Sequence, residues 1–154
     1  MKIEKAMFGA GCFWGVQSKF DAVKGVVKTL VGYSGGKTKN PTYGDVCEGD
    51  TKHAEVILIE FDSTKVSYGQ LLELFWKLHD PTQVNRQGPD VGDQYRSVVF
   101  YFSDEQRRIA EKSKENAQKM FSKNIATLIE HAKEFYKAEE YHQKYHEKNG
   151  GICY

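Results

Sequence analysis

The sequence predicts an α+β fold: a two-layer, ferredoxin-like (split βαβ) mixed sheet with helices packed on it and long functional loops. Three observations predict it. Segments of two different hydrophobic periods follow one another in the order β-α-β-β-α-β-α, which is the order of a split βαβ layer. Two polar stretches, residues 34–52 and 80–96, far exceed the usual connection of about 4–6 residues. Loops of that length in a compact domain tend to carry function. Finally, 154 residues with 40% apolar and 28% charged side chains suit one domain, because a chain of this size buries about two-thirds of its unfolded surface.

Each element has its own signature. Residues 6–10 form a short apolar run stopped by Gly9-Ala10-Gly11, after which Phe13, Val16, Phe20 and Val23 recur at helical spacing. This reads as strand, tight turn, helix. Residues 26–33 and 54–61 are rich in β-branched and aromatic side chains and read as strands joined by the first long loop. Ser67 with Gln70 has the spacing of a capping box, and Leu71, Leu72, Phe75 and Leu78 then form one apolar stripe. Residues 97–102 read as a strand. Ser103 with Gln106 repeats the capping-box spacing and opens a helix whose Ile109, Ala110, Ala117, Met120 and Phe121 share a face. A last polar helix is expected over residues 138–148, ended by Gly150-Gly151.

Charge and composition exclude several classes. With 22 Lys+Arg against 21 Asp+Glu the formal charge is +1, and the lysine-rich residues 112–123 alternate with acids as a solvated helix face does. No field holds a polyanion, so nucleic acid is not an expected partner. No segment reaches the ~20 uninterrupted apolar residues that span a bilayer, and Met1-Lys2-Ile3-Glu4-Lys5 does not resemble a signal peptide. A cytoplasmic monomer is expected. Three cysteines, Cys12, Cys47 and Cys153, are an odd number without a CxxC and make no disulfide framework. Reduced thiols at rest turn attention to catalysis or redox chemistry.

Cys12 stands where the first strand turns into the first helix, in Gly11-Cys12-Phe13-Trp14-Gly15. Unpaired backbone N–H groups and the helix dipole there favour a thiolate. By position alone it fits a nucleophile or a small buried thiol filling a tight turn. Phe13 and Trp14 occupy successive positions and cannot both enter one core face, so at least one is expected to line a pocket. The Gly9-Ala10-Gly11 turn is not a dinucleotide fingerprint, because Trp14 stands where the third glycine belongs. His142 and His146 lie four apart without H-E-x-x-H and read as a solvated face, so no metal is expected. A cysteine hydrolase or acyl transferase would need His53 or His79 beside Cys12. A non-catalytic binding module, with Cys12 as a packing residue, is a third possibility.

Several ordered blocks stand out: Gly11-Cys12-Phe13-Trp14-Gly15, Gly32-Tyr33-Ser34-Gly35-Gly36, Asn40-Pro41-Thr42-Tyr43, Val46-Cys47-Glu48-Gly49, His53-Ala54-Glu55-Val56, His79-Asp80-Pro81, Arg86-Gln87-Gly88 with Asp90, and Gln94-Tyr95-Arg96-Ser97. Together they resemble the A-type peptide-methionine sulfoxide reductases, which reduce the S epimer of methionine sulfoxide. The resemblance spans nearly the whole chain. It implies thiol-based reduction of methionine sulfoxide, free or in oxidised proteins, with Cys12 attacking the sulfoxide sulfur.

The resemblance also implies roles for the matching residues. Glu55 is the acid over the sulfoxide oxygen, its pKa raised by burial. Tyr43 and Tyr95 are the phenols that polarise that oxygen, Phe13 and Trp14 the aromatic wall for the S-methyl group, and Asp90 the acceptor of the substrate amide. The Cys12 sulfenic acid is then resolved by Cys153 on a glycine-hinged tail, residues 149–154. The chain departs from longer members in reading Gly151-Ile152-Cys153 with one residue after it and no further cysteine, so a two-step disulfide relay is not expected. Cys47 is read as structural, and it is the other candidate resolver. No cofactor is implied, because a thioredoxin-like partner supplies electrons by thiol–disulfide exchange. All of residues 1–154 form one reductase domain in this reading.

Overall fold

The computed structural model describes residues 2–11, 13–36, 39, 41–47, 51–88, 90–139, 142 and 143, apart from the side chains of Cys47 and Asp93. Cys12, His146, Cys153 and the 149–154 tail lie outside the described residues. The order along the chain is β1 (Ile3–Ala10), α1 (Phe13–Asp21), β2 (Val26–Ser34), α2 (Tyr43–Cys47), β3 (Ala54–Asp62), α3 (Tyr68–Leu78), β4 (Arg86–Gln87), β5 (Asp90–Val91), β6 (Ser97–Tyr101), α4 (Asp104–Gln118), β7 (Leu128–His131) and β8 (Tyr136–Lys137). A 3₁₀ turn, Asp93–Tyr95, precedes β6.

The large sheet runs β7-β6-β1-β3-β2-β8. Its inner four strands are antiparallel neighbours in the expected split βαβ arrangement. The outer β7 pairs in parallel with β6, which makes the sheet mixed. Because side chains alternate across a strand, β1 sends Ala6, Phe8 and Ala10 to the main core and Met7 to a smaller one. In the main core Phe8 packs against Phe20 of α1 and against Tyr68 and Phe75 of α3, at centroid distances of 5.6, 6.0 and 5.1 Å. On the opposite face Met7, Val56, Val98 and Phe100 pack beneath Phe135.

Local signals hold at α3. The Ser67 side chain accepts from the N–H of Gln70, and the Gln70 side chain accepts from the N–H of Ser67. At α4 only half of the box forms. Ser103 accepts from the Gln106 N–H, but Gln106 Oε1 accepts from Phe102 and its Nε2 donates to Lys5 O, tying the helix start to β1. α4 also ends at Gln118, so Met120 lies past the helix and is exposed.

The helix expected over 138–148 does not form at Ala138 and Glu139. The Ala138 N–H instead bonds Val31 O and continues the pairing of β8 with β2. Gln143 extends that attachment, its amide accepting from the Val31 N–H and donating to the Val31 carbonyl at 2.9 and 2.8 Å. No helix among the described residues is long and apolar enough to cross a membrane.

Candidate active site

The site gathers at one end of the sheet, where β1 ends, β3 begins and α1 starts. Period-2 alternation puts Glu55 on the same face of β3 as Ile57, Ile59 and Phe61, an acid in the register of the main core. It is 1% exposed. Tyr33 is its cross-strand neighbour. One carboxyl oxygen, Oε1, accepts from the Phe13 N–H at 3.3 Å, an amide that an α-helix leaves unpaired at its first turn. The other, Oε2, has no hydrogen-bond partner among the described residues.

Burial pushes the Glu55 pKa up to about 8 against the lowering effect of the Phe13 bond, and the Asp90 carboxylate adds to the rise. Asp90 itself, half-buried in β5, is raised by desolvation. The turn carrying half-buried Tyr95 packs against β3. Gly11, between β1 and α1, has φ +92°, and a Cβ there would fall 2.8 Å from Gln87 Cγ. The end of β4 and the turn before α1 are therefore in close contact.

Above the start of α1 lies an aromatic cluster. Phe13 and Trp14 both reach Tyr43 of α2, at 6.5 and 6.4 Å. Both also pack against His142, at 5.3 and 5.4 Å, and Tyr43 meets the same imidazole at 4.4 Å. Successive aromatics thus converge because His142 and Tyr43 cover the helix end.

His142 is 0% exposed, which corrects its reading as a solvated residue. Its Nδ1 accepts from the Trp14 indole N–H at 2.8 Å, and desolvation lowers its pKa despite nearby Glu139. Accepting at Nδ1, the neutral ring carries its proton on Nε2. Glu139 accepts from the Tyr43 N–H and the Tyr33 hydroxyl, both at 3.1 Å. Burial alone would raise its pKa, but these bonds hold it below the usual range. Sequence reasoning missed both residues. Their signal was the polar pattern of the C-terminal segment, which looks like a solvated helix until its attachment to β2 is known.

The two histidines considered as bases for a hydrolase have structural partners. His79 is half-buried and held between Phe75 O at 2.6 Å and Ser97 Oγ at 2.8 Å, and Ser97 Oγ in turn lies 2.7 Å from Thr127 Oγ1. His53 Nδ1 accepts from the Gly36 N–H at 3.0 Å.

Residues 4–154 match the family model described as peptide methionine sulfoxide reductase. The chain belongs to that family. Among curated relatives it is similar to the peptide methionine sulfoxide reductase MsrA of Methanothermobacter thermautotrophicus, with 59% identity over 96% of this chain and 89% of the relative. Among solved structures it resembles Mxr1 from Saccharomyces cerevisiae in reduced form, with TM-score 0.94 and 39% identity over 99% of this chain and 88% of that one. Mxr1 in complex with Trx2 gives TM-score 0.69 and 28% identity, over 94% and 85%. In this peptide methionine sulfoxide reductase family member, Glu55, Tyr43, Phe13 and Trp14 thus lie around the start of α1, with the turn bearing Tyr95 against β3 and the Asp90 carboxylate acting on Glu55.

Proposed function

We propose that the chain reduces methionine S-sulfoxide, free or in proteins, through the thiol of Cys12, with Glu55 as the proton donor. The observation that carries this reading is a carboxyl 1% exposed and raised to about 8, one oxygen held by the amide of the residue after Cys12 and the other without a partner among the described residues. A carboxylic acid kept neutral near pH 7 is what a poor leaving oxygen requires.

The thiolate of Cys12 attacks the sulfoxide sulfur while Glu55 gives its proton to the oxygen. Tyr43 and Tyr95 donate hydrogen bonds to that oxygen, and Phe13 and Trp14 receive the S-methyl group. Asp90 accepts the substrate amide. Transfer of the oxygen to Cys12 leaves methionine and a sulfenic acid, so the substrate sulfur gains the two electrons that the cysteine loses. Cys153, on a 149–154 tail of the single 1–154 domain, displaces water and forms a disulfide. A thioredoxin-like dithiol then reopens it. The complex of Mxr1 with Trx2 supports a partner of that kind. Reduced thiols suit a cytoplasmic setting.

The structural bonds of His79 and His53 favour this reading over a cysteine hydrolase. Turnover of methionine S-sulfoxide with a dithiol, and its loss in Cys12→Ser, tests the activity. Sustained turnover by Cys12→Ser would remove Cys12 from the reaction.

A further inference from the structure

We propose that Met120 is an oxidation site on this chain and that a second copy repairs it, so the enzyme is among its own substrates. The inference rests on the proposed reductase activity. The sequence holds three methionines, Met1, Met7 and Met120. Met7 is 0% exposed in the core, whereas Met120 is 61% exposed. Oxidation follows access to the thioether, so a peroxide entering from solvent meets Met120 and not Met7.

The surroundings of Met120 make its oxidation consequential. It lies just past the end of α4 and lines a groove of about 710 Å³ between α3 and α4, with Trp76, Ile109 and Ala117 among the other walls. A sulfoxide there would place a polar oxygen against an apolar wall. The chain after it carries no helix or strand up to β7, and Ser122, Lys123 and Asn124 are exposed, so the side chain stands beside a surface that a second molecule can approach.

None of Phe13, Trp14, Tyr43, Glu55, Asp90 or Tyr95 lines this groove. Repair within one chain would require the end of α4 to leave its place, whereas repair between copies requires only that the side chain protrude.

The chemistry balances. A hydroperoxide transfers one oxygen to the Met120 thioether, giving the sulfoxide and water (or an alcohol). In the second copy the sulfoxide takes two electrons and two protons from two thiols, returning the thioether, water and a disulfide, which a dithiol reduces.

The test uses full-length Cys12→Ser, which lacks the proposed nucleophile, oxidised with hydrogen peroxide and digested with trypsin before and after incubation with a catalytic amount of wild type and dithiothreitol. The peptide 120–123 is expected to gain one oxygen well before the peptide holding Met7. Wild type should then remove about half of that oxygen, because an exposed thioether yields both epimers and one reductase type acts on one of them. Oxidised wild type alone with dithiothreitol should recover the same fraction, faster at higher protein concentration, which keeps the test independent of how Cys12→Ser folds.

Oxidation of Met7 as fast as Met120 would overturn the inference. So would an unchanged Met120 sulfoxide when the same wild type reduces free methionine S-sulfoxide. If the wild type reduces neither, the reductase reading itself fails and self-repair falls with it.

Discussion

The backbone N–H of Phe13 donates to Glu55 Oε1 at 3.3 Å, joining the first residue of α1 to the second residue of β3. Through this bond a carboxyl on the core face is tied to the amide covalently next to Cys12. Desolvation nevertheless outweighs the bond, and Glu55 titrates at about 8.

The first expected outcome concerns its proton. The rate should fall as pH rises through about 8, as Glu55 loses the proton it donates. Glu55→Gln should lower kcat/KM by about 10²–10⁴-fold across the range. A pH–rate profile of both proteins checks this, and an unchanged rate in Glu55→Gln contradicts it.

The same burial makes a stability prediction. Below pH 4.5, the ordinary value, both folded and unfolded chains hold the proton. Between there and about 8 the unfolded chain releases it first, so the folded state loses about 1.4 kcal/mol per pH unit from this group. Glu55→Gln should therefore gain stability over wild type at pH 8 and lose that advantage near pH 4, as read by urea unfolding. A pH-independent difference would assign the effect to packing.

His79 gives the opposite slope. Burial lowers its pKa to about 4 in spite of its bond to Phe75 O and the Asp80 charge. As pH falls from 6.5 toward 4 the unfolded chain takes up a proton that the folded chain refuses, so stability is lost. His79→Gln should be less stable at pH 7 but flatter between pH 6.5 and 4. Equal acid slopes in both proteins, in denaturant titrations, would exclude His79 as the acid-sensitive group.

His142 is expected to position Trp14. His142→Ala removes the acceptor of the indole N–H and a ring shared with Phe13 and Tyr43. It should cost about 1–3 kcal/mol and raise KM more than it lowers kcat. His142→Gln, which can still accept from the indole, should recover part of the KM. Failure of any rescue would limit His142 to packing.

Much of this was legible in the sequence because local patterns carried it. The inner strands announced themselves by apolar or β-branched runs, and the box at Ser67 formed as spaced. The edge elements were not legible. β7 buries little beyond Ile129, and β8 has two residues, so neither shows a period. Glu55 was found only through the family blocks, since nothing local tells an acid at a strand start that it will be buried. His142 and Glu139 depend on pairing between β8 and β2, contacts about a hundred residues apart along the chain.

The most direct test of the account is mass spectrometry of the reduced protein after one equivalent of methionine S-sulfoxide and no reductant. The account predicts about one methionine released and a loss of two hydrogens, mapped to a link between the peptides of Cys12 and Cys153. A protein unchanged in mass, or a link that joins Cys47 and Cys153 and omits Cys12, would contradict it.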